Sequence, residues 1–128
     1  MRETSAHPVS DDLERCRPWL EKALQRTEGA YEWPDILDGL STGHMQFWPA
    51  PEGAIVTQVV QSPRLKTLHV FLAGGDLEQV LDMVPSLEAF AEFNGCSALT
   101  MDGRKGWQRV LKDWTPTSIV MKKELSHG

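Results

Sequence analysis

Two side chains stand where a proton could be taken or given: His69, inside the run LHVFLAGGD, and Asp102, directly after CSALTM. An imidazole changes charge near neutral pH, and a carboxylate beside an amine can accept its proton. Each also has an ordinary reading, His69 as a packed or surface histidine of a strand and Asp102-Gly103 as a turn. His7, His44, His69 and His127 are scattered without the spacing of metal ligands, so no metal site is expected. Gly74 and Gly75 permit close backbone approach to an anion just before a helix. Asp76 with Gln79 reads as a capping box, in which the aspartate takes the helix N–H groups that a phosphate would need.

Other reactive types are sparse. Cys16 and Cys96 lie far apart and inside apolar patterns, so both are expected as buried free thiols. Arg104, Lys105, Arg109 and Lys112 cluster on one short stretch, as either a solvated face or a surface for an acidic partner or a phosphate. The chain carries five tryptophans, of which Trp33, Trp48 and Trp114 fall at element ends. Aromatics at such rims either cap a core or serve an interface, and both readings stand.

The elements that must position these groups follow from hydrophobic period. Residues 1–12 are polar and read as an arm. From Leu13 the apolar positions Leu13, Cys16, Trp19, Leu20, Ala23 and Leu24 recur at helical spacing, with a kink expected at Pro18. A turn through Gly29 leads to a second helix from Pro34 to Gly43. The period then becomes alternating: Met45–Trp48, Ala54–Val60 and Leu65–Leu72 read as strands, and their short connections make an antiparallel meander. A helix begins after Asp76 with the stripe Leu77, Val80, Leu81, Val84, Leu87 and Ala91, kinked at Pro85 and stopped by Asn94-Gly95. Cys96–Met101 reads as a buried strand, and a right-handed crossover sets it parallel to the third strand. A short helix over Arg104–Lys112 and a closing strand over Thr117–Leu125 complete the order.

The whole is an α+β domain over residues 13–128, a mixed sheet of antiparallel meander plus parallel crossover strand flanked by helices. Its 128 residues, 41% hydrophobic and 24% charged, suffice for one core. A formal charge of −5 argues against direct contact with nucleic acid. No apolar run is long enough for a membrane span, and the N-terminal residues lack the apolar centre of a signal peptide, so secretion by that route is not expected.

This order, with the endings LHVFLAGGDLEQVL, GCSALTMDGRKGWQRVL and IVMKKEL, resembles the GNAT-type acyl-CoA N-acyltransferase superfamily from Leu13 to Leu125. The resemblance implies a sheet splayed between two central strands, here Leu65–Leu72 and Cys96–Met101, where acyl-CoA and an acceptor amine meet. It also implies an Arg or Gln followed by x-x-Gly-x-Gly or Ala, a loop that wraps the pyrophosphate. Here only Ala73-Gly74-Gly75 separates strand from Asp76, with no Arg or Gln at that spacing. The tyrosine that commonly protonates the leaving thiolate is missing as well. Tyr31 is the sole tyrosine and precedes the second helix, while the matching helix offers Val110 or Leu111.

Small chains with a GC-x-A-L strand followed by Gly-Arg-x-Gly-Trp resemble phage or prophage acyltransferase-like, virion-associated proteins. The expectation is therefore a non-catalytic structural or interaction protein without a cofactor. Its partners would be other protein subunits such as capsid, portal or tail components, met in the virion or in host cytoplasm during assembly. Trp33, Trp48, Trp114, Arg104, Lys105 and Arg109 would form its interface. A host-directed regulator using the same surface is a variant of that reading. The alternative is a divergent N-acyltransferase using acetyl-CoA, with Gly74 and Gly75 against the cofactor, His69 or Asp102 as base and water as acid.

Overall fold

The computed structural model describes residues 6–102 and 105–126. Helix α1 spans Ala6–Leu24, so it begins well before Leu13, and residues from Ala6 onward are helix rather than arm. Pro8 is compatible with this start: in a first helical turn the N–H groups have no intrahelical partner, so a proline there removes no hydrogen bond. Pro18 does not split the helix. It faces solvent, where water can serve the Glu14 carbonyl that loses its amide partner. The buried stripe of α1 is Cys16, Leu20, Ala23 and Leu24.

A 3₁₀ turn over Gln25–Thr27 leads to α2, Trp33–Thr42. The N–H of Glu32 donates to Asp35 Oδ2 at 2.8 Å, and the helix stops at Gly43, whose φ of 85° suits glycine. Strands β1 (Met45–Ala50), β2 (Gly53–Gln61) and β3 (Lys66–Gly75) form the expected antiparallel meander, and β4 (Ala98–Met101) pairs parallel to β3. The sheet order is β1-β2-β3-β4. Val56 pairs with Leu72 but Thr57 with Val70, which leaves Phe71 as the extra residue of a β-bulge in β3.

Helices cover both faces. On one, α1 and α2 bury Cys16, Leu20, Ile36, Val56 and Leu72. On the other, α3 (Leu77–Asp82) and α4 (Val84–Phe93) close over Ile55, Leu68, Val70, Val80 and Leu87. The kink expected at Pro85 is a full break at Met83. Pro85 has no N–H for the Leu81 carbonyl and its ring would press on it, so the helix restarts with proline in its first turn. Helix α5, Lys105–Val110, lays Trp107 on the same core.

The closing strand does not form. Residues 115–126 carry no ladder pairing, and Ile119, Val120, Met121 and Leu125 are 87%, 82%, 89% and 69% exposed. The residue types suit a strand, but a segment becomes a strand only against an edge, and this one lies instead by Glu28, to which Lys122 is hydrogen-bonded.

Candidate functional site: the splay between β3 and β4

The site lies where β4 stops short of the end of β3. β3 and β4 pair only from Thr67 opposite Ala98 to Val70 opposite Met101. Beyond the bulged Phe71, β3 continues to Gly75 with β2 on one side and no strand on the other among the described residues. A cleft of about 1000 Å³ opens there, lined by Trp19, Lys22 and Arg26 of α1 and the turn after it, Gly74 and Gly75 of β3, and Trp107 of α5. Lys22 and Arg26 give its wall positive charge, and the aromatic and aliphatic residues give it an apolar floor. Such a lining suits an amphiphile with an anionic group.

The structure brings His69 and Asp102 near each other, outside the lining of this cleft. His69 Nδ1 lies 2.8 Å from Thr100 Oγ1 on the paired residue of β4, and Nε2 lies 3.7 Å from Asp102 Oδ2. The second separation is too long for a hydrogen bond, so the two form an ion pair only when the imidazole is protonated. His69 is 19% exposed and Asp102 82%. Neither lines the cleft.

Gly74 and Gly75 line the cleft, yet their small size is used elsewhere. A Cβ on Gly74 would stand 2.8 Å from the Trp19 carbonyl oxygen, so the glycine lets α1 ride on β3. Gly75 has φ of 98°, and a Cβ on it would overlap the Glu52 carbonyl oxygen. Strand β3 thus runs into α3 without a separate loop. Asp76 caps that helix, its Oδ2 accepting from the Gln79 N–H at 3.2 Å. The capping box is only half made, because Gln79 Oε1 accepts from the Glu52 N–H at 2.7 Å instead of the Asp76 N–H. The Asp76 N–H donates to the Glu52 carbonyl, also at 2.7 Å.

The tryptophans are mainly packed. Trp33 is 6% exposed, with the Arg17 guanidinium 5.0 Å above its ring, so it offers a partner no surface in this structure. Its indole N–H is buried without a hydrogen-bond partner among the described residues. Trp48 is half-buried, stacked edge-on against Phe90 at 5.4 Å, and its Nε1 donates to Thr57 Oγ1 at 2.9 Å. Trp114 is half-buried on the α3–α4 side of the sheet. Arg104 lies outside the described residues, Lys105 is described only as helix backbone, and Arg109 and Lys112 are exposed.

Of the two thiols, Cys16 is buried and Cys96 half-buried, and both are free. Desolvation raises the Cys16 thiol above its ordinary value against a smaller opposing pull from Arg15. At the C-terminal segment the Lys122 hydrogen bond lowers Glu28 and raises Lys122 in turn. Sequence reasoning missed Lys22, Arg26 and Thr100. The first two follow the apolar stripe of α1, but nothing local reveals that α1 crosses β3 at the splay.

The sequence matches no protein-family model and no curated protein. Solved structures do match in shape. TTHA1254 from Thermus thermophilus superposes with a TM-score of 0.63 at 18% identity, covering 91% of this chain and 94% of that one. An aminoglycoside acetyltransferase, meta-AAC0020, from an uncultured soil metagenomic sample gives 0.62 at 8% identity, covering 91% of both chains. The chain has an acetyltransferase-like fold. A probable acetyltransferase agrees, with a TM-score of 0.54 at 10% identity over 82% of this chain and 89% of that one. At these identities the likeness is one of fold, so the acetyltransferase-like architecture places the splay and leaves its chemistry to the residues present.

Proposed function

We propose that this acetyltransferase-like domain is non-catalytic and works as a protein-binding or assembly module. The observation that carries the reading is at the end of β3, where the strand enters α3 directly and the Asp76 carboxylate already holds the Gln79 N–H. A pyrophosphate at that point meets a like charge and finds no loop to wrap it. The partner would be another protein subunit, met through the exposed face of α5 with Arg109 and the half-buried edge of Trp114. The capsid, portal or tail assignment, and with it the virion as location, rests on the sequence resemblance alone. It requires the protein to copurify with particles in fixed stoichiometry.

The test of the non-catalytic reading is a thermal-unfolding scan with and without millimolar acetyl-CoA. A ligand at about 100 times its dissociation constant adds roughly 2.7 kcal/mol, or about 5–15 °C in Tm for a domain of this size. No saturable rise is expected. A saturable rise would sink the reading.

A second reading, a divergent acyltransferase that takes the acyl group of acetyl-CoA to an amine, would use the cleft that Lys22 and Arg26 line. In it Gly74 and Gly75 face the cofactor, while His69 or Asp102 accepts the amine proton through water, since neither reaches the cleft directly. This reading requires acetyl-CoA-dependent acylation that falls in His69→Gln without loss of the thermal shift.

A further inference from the structure

We infer that the cleft at the splay takes an extended segment of a partner protein, acidic and apolar at alternate residues, which adds as a strand to the free edge of β3. The inference rests on the reading of the domain as a protein-binding module. Past Val70, where β4 leaves the ladder, β3 continues to Gly75 with β2 on one side and no strand among the described residues on the other. The N–H and C=O groups along such an edge are a template for an added strand. The cleft of about 1000 Å³ gives that strand room, because Ala73, Gly74 and Gly75 of β3 and Gly106 and Trp107 of α5 all line it.

The two faces of β3 differ at this point, and they set the pattern of the incoming chain. Gly74 meets the backbone of Trp19 and so faces α1, while Ala73 packs with the α3–α4 core and faces the other way. A strand added alongside alternates in the same manner. Its residues on the α1 side come toward Lys22 and Arg26, and those on the other side toward Leu77, Val80 and Trp107. No Asp or Glu among the described residues lines the cleft, so carboxylates complement the first side and aliphatic side chains the second.

Charge and exposure favour the same occupant. The chain carries a formal charge of −5, so a cation-lined cleft singles out one place where an acidic segment is drawn in. Leu77 is 44% exposed at the start of α3, an apolar surface that an aliphatic side chain of the added strand would cover. What stands against a pyrophosphate does not stand against a peptide. A strand on the edge of β3 needs nothing from the helix N–H group that the Asp76 carboxylate already holds, and it needs no loop between β3 and α3.

The experiment is fluorescence anisotropy of a fluorescein-labelled hexapeptide of alternating Glu and Val, titrated with the full chain. Three control peptides accompany it: one of the same composition with every Glu before every Val, and two N-methylated on one or the other set of alternate amides. The alternating peptide is expected to bind saturably, and the block peptide at least about 10-fold more weakly. One N-methylated peptide is expected to lose at least about 10-fold and the other to lose less, because only one set of amides faces β3. Lys22→Glu, its fold checked by circular dichroism, is expected to raise the dissociation constant at least about 10-fold. No saturable binding at millimolar protein overturns the inference, as does equal binding of the block peptide, equal binding of the two N-methylated peptides, or an unchanged dissociation constant in Lys22→Glu. The acetyl-CoA thermal scan separates the two failures. Without an acetyl-CoA shift, a peptide that does not bind overturns this inference and leaves the non-catalytic reading standing, whereas a saturable shift overturns that reading and this inference with it.

Discussion

The carbonyl oxygen of Trp19 stands 2.8 Å from where a Cβ on Gly74 would lie, so helix α1 rests on strand β3 at a point that admits glycine alone. Two backbones meet there, and neither can move like the end of a flexible side chain. Gly74→Ala is therefore expected to lower stability by about 1–3 kcal/mol, and Tm by about 3–15 °C. A Tm within a degree of wild type would mean that α1 does not ride on β3. For the same reason Gly74→Asp unfolds or loosens the domain, and lost acylation in that variant would carry no information about a cofactor site.

Asp76 and Gln79 serve different partners at one helix start. The Asp76 side chain holds a backbone N–H of α3, while the Gln79 side chain holds the Glu52 N–H in the β1–β2 turn. Asp76→Ala is expected to cost about 1 kcal/mol, and Asp76→Ser to retain most of the cap. A reciprocal box would make Asp76→Ala and Gln79→Ala strongly coupled. The observed arrangement predicts a coupling below about 0.5 kcal/mol in a double-mutant cycle read by urea unfolding.

Thr57 has no exposed surface and joins two polar side chains across β1 and β2. Its Oγ1 accepts from Trp48 Nε1 at 2.9 Å and donates to Gln46 Oε1 at 2.8 Å. Thr57→Val keeps the shape and removes both bonds, leaving the indole N–H and the amide oxygen unmatched in a part-buried site. The expected loss is about 1–3 kcal/mol, with Thr57→Ser losing less despite its smaller volume. Equal losses in the two variants would assign the effect to packing instead.

The strands and their order were legible in the sequence because alternation and short connections act locally. Met45–Ala50, Gly53–Gln61 and Lys66–Gly75 stand within a few residues of the expected runs, and β4 lies parallel to β3 as the crossover requires. The cleft was legible only through resemblance. The bulge in β3 at Phe71, just before it, leaves no mark in the pattern, because Phe71 and Leu72 are both apolar and face the same helices. His69 and Asp102, singled out by residue type, lie 3.7 Å apart but outside the cleft lining, whereas Lys22 and Arg26 line the cleft through a helix crossing that depends on contacts distant in sequence. The segment 117–125 shows the converse: its pattern is that of a strand, and no pattern within one segment supplies the edge a strand must join.

Cys16 links burial to pH. It is wholly buried, desolvation is the main cause of its raised pKa, and its Sγ lies 3.8 Å from the Gly53 carbonyl oxygen. A thiol whose pKa is higher folded than unfolded keeps its proton longest in the native state, so the unfolded chain deprotonates first as pH rises. Its contribution to stability is full below the unfolded thiol value, near pH 9, and is lost as pH climbs through the higher folded value. Denaturation midpoints measured from pH 7 to 10 should fall at the alkaline end in the wild type and fall less in Cys16→Ala, which begins lower because of the cavity. Native protein at pH 8 should release one equivalent from a thiol reagent rapidly, from the half-buried Cys96, and the second only on unfolding. Rapid reaction of both thiols, or the same alkaline slope in Cys16→Ala, would show that the thiol is not sealed under α1.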